Sequence, residues 1–250
     1  MSEPVRIAMW SGPRNLSTTM MRSFGARADT ACVDEPFYAA YLTATGLIHP
    51  MQEDILAAQS CDGEVVARQL TEDPVPGGKP VFYQKHMTHH MAPSLPRTWM
   101  ADVTNAFLIR DPARVLASYA RKMEEVSLEA IGVPQQAELF DRVCQLRGEA
   151  PPVVDSDDIL ADPAGMLRAL CRAVGIEYSE AMLSWPAGPK PEDGVWAPHW
   201  YDAVWQSSGF GAPRREAPAL PASLQTLADG ARGHHDRISS HALKPINSIK

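Results

Sequence analysis

Ser11-Gly12-Pro13-Arg14-Asn15-Leu16-Ser17-Thr18-Thr19 lies between an apolar run, Val5 to Trp10, and a helix-like pattern that starts near Leu16. This is the strand, tight loop and helix order in which backbone N–H groups and a helix N-terminus face one way and attract phosphate or sulfate. The loop is not that of a nucleotide triphosphatase. The pattern G-x-x-x-x-G-K-[ST] needs a Lys before the hydroxyl residue, and Leu16 stands there before Ser17. Arg14 supplies the cation from inside the loop instead. An ordinary strand-to-helix turn with Ser/Thr at the helix start reads the same way over this stretch, so a second site has to decide.

Outward from the loop, apolar runs alternate with helical patterns. Ser17 to Arg27 carries Met20, Met21 and Phe24 at helical spacing, and Ala31 to Val33 leads into Asp34-Glu35-Pro36-Phe37-Tyr38 as a strand end turning into a helix. Met51 to Leu70 reads as helix broken at Asp62-Gly63, followed by a Pro/Gly loop from Glu72 to Pro80. Val81 to Gln84 is a strand that ends in Lys85-His86-Met87, and Pro93 to Ala101 is a short predicted helix. Asn105 to Ile109 is a strand buried on both faces, after which Asp111 and Pro112 are the N-cap and first residue of a helix through Val115, Leu116 and Tyr119. Pro134 to Arg147 predicts a helix, Pro152 to Val154 a strand, and Met166 to Val174 an amphipathic helix after Asp162-Pro163. This rhythm implies an α/β domain with a mainly parallel sheet. The chain, 1–250, reads as a single domain. From Ser184 onward prolines interleave with Trp185, Trp196, Trp200 and Trp205, so 184–250 is expected to be a loop- and aromatic-rich extension folded over the site.

Composition narrows the ligand. With 45% hydrophobic and 21% charged residues the chain falls among soluble globular proteins, and its net charge of -7 argues against a partner held by many nucleic-acid phosphates. A small anion fits better. The N-terminus carries no charged region followed by an apolar core, and no run reaches membrane-spanning length, so the expectation is a cytoplasmic protein with no membrane or nucleic-acid partner. Cys32, Cys61, Cys144 and Cys171 form no C-x-x-C pair and are expected to be reduced thiols. His86 and His90 are four apart but have no third ligand at a convincing spacing, so no metal is expected.

Ligands of parallel sheets bind beyond the carboxyl ends of the strands. The Arg14 loop, Lys85-His86 and Arg110 all stand at such ends and project onto one edge. Arg110 is separated by seven residues from Ser118, about two turns into the next helix, so the two can converge on one phosphate.

Here the sequence resembles the sulfotransferases that use 3′-phosphoadenosine 5′-phosphosulfate. Their first motif is roughly Pro-[Lys/Arg]-Ser-Gly-[Thr/Ser]-Thr, standing here as Pro13-Arg14-Asn15-Leu16-Ser17-Thr18. Their second is Arg, seven residues, Ser, standing here as Arg110 and Ser118. Val153 to Pro163 is similar to the family's strand, acidic turn and Asp-Pro, and the chain looks closest to a bacterial subgroup that begins Ser-Gly-Pro-Arg-Asn-Leu-Ser-Thr. The resemblance implies a three-layer αβα fold related to P-loop proteins. It also implies that Arg14, Asn15, Leu16, Ser17, Thr18 and Thr19 hold the 5′-phosphosulfate, and that Arg110 and Ser118 hold the 3′-phosphate. The family's Arg-Lys-Gly element for that phosphate is absent as such. Arg214-Arg215 is a candidate substitute, with Ser207 and Phe210 just before it and Phe210 available to stack on adenine.

The implied reaction moves a sulfuryl group to a hydroxyl or amine of a small-molecule acceptor. It needs a base for the acceptor proton and positive charge at the leaving oxygen. His86, after the third strand, is one candidate base, with Lys85 or Arg14 assisting at the transferring group. Glu35 is the other, because some bacterial sulfotransferases that this chain resembles place a carboxylate after the second strand. Leu16 in the place of the family's Gly leaves a non-catalytic nucleotide-binding module as the alternative, with a small-molecule kinase behind it. A homodimer is left open as the assembly.

Overall fold

The computed structural model describes residues 3–121, 123, 126–213, 216 and 218–247. Among the described residues, β1 (Val5–Ser11), β2 (Thr30–Asp34), β3 (Val81–Met87), β4 (Thr104–Ile109) and β5 (Val153–Asp155) form one sheet in the order β2-β3-β1-β4-β5. Every pairing is parallel, with Val5 opposite Val81 and Ile7 opposite Thr104. The central strand is therefore the one that leads into the 11–19 loop, and Ile7 to Trp10 are fully buried in it.

The helices, in chain order, are α1 (Ser17–Gly25), α2 (Tyr38–Thr45), α3 (Gln52–Ala58), α4 (Gly63–Thr71), α5 (Pro112–Tyr119), α6 (Val133–Arg147), α7 (Ser156–Ala161), α8 (Pro163–Ala173), α9 (Ala197–Trp200), α10 (Asp202–Trp205) and α11 (Ala222–Ser239). Strand side chains alternate between the two faces. Ile7, Met9, Tyr83, Ala106 and Leu108 pack with Met20, Met21 and Phe24 of α1 and Met166, Leu167 and Leu170 of α8. Ala8, Trp10, Phe82, Phe107 and Ile109 pack with residues of α2, α3, α4 and α6 and with Ile238 of α11. The result is helix, sheet, helix, the three-layer arrangement implied by the resemblance.

The structure differs from the sequence reading in four places. β3 runs on to Met87 and takes Lys85 and His86 into the strand, because both side chains find buried partners beside it. Within 93–101 the structure has only a 3-10 turn, Thr98–Asp102, since Pro93 and Pro96 lack the N–H groups that a helix would use. α7 follows β5 directly, its first turn capped by the Asp155 carboxylate on Asp157 N. The 184–250 segment contains the 18-residue helix α11, whose buried residues are Ala228, Ala231 and Ile238. So sparse an apolar face leaves little periodicity to read.

Candidate active site

The β1–α1 loop is built from backbone strain and close packing. Arg14 and Leu16 both lie in the left-handed region, with φ 64 and φ 65. Alternation of this kind turns successive N–H groups toward one concavity. Glycine adopts it freely, whereas a side chain pays roughly 1–2 kcal/mol. Leu16 is the N-cap residue of α1, and its carbonyl accepts from Met20 N at 2.9 Å. Gly12 has a different constraint, because a Cβ there would lie 2.5 Å from the Ile131 carbonyl oxygen. The chain between α5 and α6 is thus laid directly on the loop.

Asn15 pins the loop from below. Its Nδ2 donates to Leu108 O at 3.4 Å, and its carbonyl accepts from Ser156 Oγ at 2.9 Å. Ser17 and Thr19 are buried in the first turn of α1. Arg14 Nε donates to Ser118 Oγ at 3.0 Å, and Arg110 Nη1 donates to the Arg14 carbonyl at 2.9 Å. Arg14, Arg110 and Ser118 therefore meet at one edge. Burial, and then the charge of Arg121, lower the Arg14 pKa, so this guanidinium sits beside another cation and bonds a hydroxyl. An anion is the natural complement of such a place.

The ends of β2 and β3 supply a second group. Lys85 Nζ donates to Asp34 Oδ1 at 2.8 Å, to Tyr201 Oη at 2.8 Å and to Glu35 Oε1. Glu35 also has a left-handed backbone, φ 41, a strain of the kind that collects at functional sites. Its Oε2 lies 3.8 Å from His90 Nδ1. Burial raises the Glu35 pKa, an effect only partly offset by Lys85. Burial works against the charge of Lys85, yet Asp34, Glu35 and Tyr201 hold its ammonium well above the ordinary range. Tyr38 stands near Glu35, and its ring and that of Tyr41 stack on His90 at 4.2 and 4.9 Å.

His86 lies elsewhere. The alternation of β3 puts it on the same face as Phe82, where it stacks on Trp10 at 4.4 Å and lies beside Trp99 and Phe37. Its Nε2 is 3.2 Å from Gln84 Oε1. Burial, and then Lys85, push its pKa down to about 3, so it is a neutral ring in the core.

A sulfotransferase-domain family profile matches residues 5–232. The chain belongs to the sulfotransferase family. Two Arabidopsis thaliana relatives carry the names branched-chain-amino-acid aminotransferase-like protein 1 and protein 2. The first is 37% identical over 241 residues, covering 96% of this chain and 43% of the relative. The second is 37% identical over 215 residues, covering 86% and 38%. This chain thus spans about two-fifths of the curated relatives it matches. The fold is similar to the sulfotransferase domain of the Synechococcus PCC 7002 olefin synthase, with TM-score 0.57, 15% identity and coverage of 93% and 95%. It is also similar to a sulfotransferase from Alicyclobacillus acidocaldarius, with TM-score 0.52, 12% identity and coverage of 96% of each chain.

Within this sulfotransferase domain the predicted residues other than the core-bound His86 fall into three groups. Arg14, Asn15, Leu16, Ser17, Thr18, Thr19, Arg110 and Ser118 share the β1–β4 edge. Glu35 and Lys85 share the β2–β3 edge. Ser207 and Phe210 are engaged with Trp185, through a 3.2 Å bond from Trp185 Nε1 to Ser207 Oγ and an edge-to-face contact at 5.4 Å. Arg214 and Arg215 lie outside the described residues. Sequence reasoning missed Asp34 as a partner of Lys85, Tyr201 as the tail residue that reaches them, and Ile131 as the lid on Gly12. Asp34 was visible as the neighbour of Glu35. Tyr201 and Ile131 meet the site through contacts far apart in the chain, which no local pattern reports.

Proposed function

We propose that this protein is a sulfotransferase that takes a sulfuryl group from 3′-phosphoadenosine 5′-phosphosulfate and passes it to a hydroxyl or amine of a small-molecule acceptor, with Glu35 as the base. The observation that carries the reading is the convergence of Arg14, Arg110 and Ser118 beside a loop whose residues 14 and 16 are both left-handed. Such a cradle suits a ligand with two anionic groups, and the crowding at Gly12 keeps Ile131 close over it.

When bound, the donor supplies an activated sulfuryl group whose bond to a phosphate oxygen is the one that breaks. Arg14 and the N–H groups of the α1 N-terminus face the charge that grows on that phosphate oxygen. Arg110 and Ser118 hold the second phosphate and fix the register. Glu35 takes the acceptor proton as the new bond to sulfur forms. Its side chain is 10% exposed where that of Lys85 is 1%, so of the two it is the one that an acceptor reaches. The raised proton affinity of Glu35 brings it toward the operating range of a general base. The enclosure of His86 supports assigning the base to Glu35.

The test is calorimetry with adenosine 3′,5′-bisphosphate, then transfer of labelled sulfate from the donor across an acceptor panel of alcohols, phenols and amines. The bisphosphate should bind, and Glu35→Gln should lower kcat by about 10²- to 10⁴-fold with binding intact. Binding without transfer to any acceptor would favour the non-catalytic module. A Glu35→Gln enzyme at full rate would remove Glu35 from the mechanism.

A further inference from the structure

Two carboxylates and one ammonium share the buried end of β2 and β3, and a residue of the tail bonds into the group. Asp34 receives three donors: Lys85 Nζ at 2.8 Å on Oδ1, and Tyr201 Oη at 2.7 Å and Gly194 N at 3.1 Å on Oδ2. Glu35 receives Lys85 on Oε1, is also stabilised by the Tyr201 hydroxyl, and turns Oε2 toward His90. Tyr201 Oη both accepts from Lys85 and donates to Asp34, and it is itself held by Trp196 Nε1 at 3.2 Å. Asp34, Lys85 and Tyr201 are 3%, 1% and 5% exposed, so water cannot take over these bonds.

Tyr201 is 116 residues from Lys85 in sequence. The tail segment before it is fastened at a second point, where Arg22 Nη1 of α1 meets Asp193 Oδ1 at 2.6 Å, next to Gly194. Gly194 is needed there, because a Cβ would lie 2.1 Å from the Trp196 ring.

We propose that Tyr201 is a positioning residue for Glu35: its hydroxyl supplies Asp34 with a donor, leaves Lys85 shared with Glu35 Oε1, and so keeps Glu35 Oε2 free for the acceptor proton. The inference rests on the reading of Glu35 as the base. Glu35 is faced by Asp34 on β2, Lys85 on β3, His90 just beyond β3, Tyr38 on α2 and Tyr201 in the tail. In Tyr201→Phe, Asp34 loses a neutral donor and draws Lys85 toward itself, and Glu35 loses the direct help of the same hydroxyl, so Glu35 holds its proton more tightly. In Asp34→Asn the competing negative charge is gone, Lys85 belongs to Glu35, and Glu35 releases its proton more easily.

The experiment is a carbon-13 NMR titration of the Glu35 carboxyl in the full chain, assigned by its loss in Glu35→Gln. The midpoint should move to higher pH by half a unit or more in Tyr201→Phe and to lower pH in Asp34→Asn. The acid limb of kcat/KM should move with the midpoint, while the affinity for adenosine 3′,5′-bisphosphate stays within twofold. An unchanged midpoint in a folded Tyr201→Phe protein overturns the proposal. If that variant does not fold, a midpoint in Asp34→Asn that fails to fall overturns it instead. Full transfer activity in Glu35→Gln would defeat the base assignment alone, because the titration reads the Tyr201 linkage without any acceptor.

Discussion

Arg14 reaches across 104 residues of chain to donate its Nε hydrogen to Ser118 Oγ at 3.0 Å, which joins the loop after β1 to the helix after β4. Arg110 closes the triangle by donating to the Arg14 carbonyl at 2.9 Å. The two motifs are thus one mechanical unit, and a change in one is felt by the other.

Removing either arginine should therefore weaken adenosine 3′,5′-bisphosphate binding strongly. A bond from a charged donor is worth about 1.5–3 kcal/mol, so Arg14→Ala and Arg110→Ala should each cost roughly ten- to a hundredfold in Kd by calorimetry. Ser118→Ala should cost less, and its effect should not add fully to that of Arg14→Ala, because the two side chains share a bond. Strict additivity in this cycle would mean that the Arg14 to Ser118 bond does not organise the site.

Gly12 offers a steric test. In Gly12→Ala the new methyl would stand 2.5 Å from the Ile131 carbonyl, a contact that backbone on both sides must open. Overpacking of this kind costs about 1–3 kcal/mol. Tm should fall and bisphosphate affinity should fall with it, since the segment displaced is the one that lies on the anion loop. A variant with wild-type Tm would show that the Ile131 segment yields without cost.

Leu16 predicts a gain. Its φ of 65 is conformationally expensive for a side chain, and glycine removes the penalty. Leu16→Gly should raise the unfolding free energy by about 1 kcal/mol in urea titration, and Leu16→Ala should not. The same change should improve nucleotide affinity. An unchanged affinity would show that the loop reaches its binding shape with Leu16 in place.

The parts legible in the sequence were those written locally. The apolar run before Gly12, the Asp111-Pro112 helix start and the Arg110 to Ser118 spacing each follow from neighbours in the chain. The structure keeps all three, with Asp111 capping Arg114 N and Pro112 opening α5. What stayed hidden depends on the environment across strands. His86 and Glu35 are both plausible bases by type. Only the side alternation of β3 sends His86 against Trp10, and only the ends of β2 and β3 together give Glu35 its lysine. α11 was hidden for another reason: Ala228, Ala231 and Ile238 are too small or too few to mark a helical face amid Gly230, Gly233, His234 and His235.

The buried histidines make stability fall with acid. His86 and His89 are pressed down to about 3, in both cases first by burial, and His90 well below its ordinary value by burial and then by His89. Unfolded histidine takes a proton near pH 6.5, while the folded protein refuses it until far lower pH. Between those limits the unfolded state binds more protons, so stability is lost as pH falls, by up to about 1.4 kcal/mol per pH unit for each histidine. Glu35 works in the opposite direction, because its raised affinity lets the folded state take up a proton before the unfolded one. Asp155, also raised by burial, acts the same way, but unfolded carboxyls titrate at about pH 4, so between pH 6.5 and 5 the histidines, His49 included, set the slope. His86→Phe should fit the stack of Trp10 and Trp99 and remove one proton from the uptake. The variant should be less stable at pH 8, since Gln84 Oε1 loses its partner, but the readout is the slope of unfolding free energy against pH between 6.5 and 5. That slope should drop by close to one proton, and an unchanged slope would mean that His86 titrates normally in the fold.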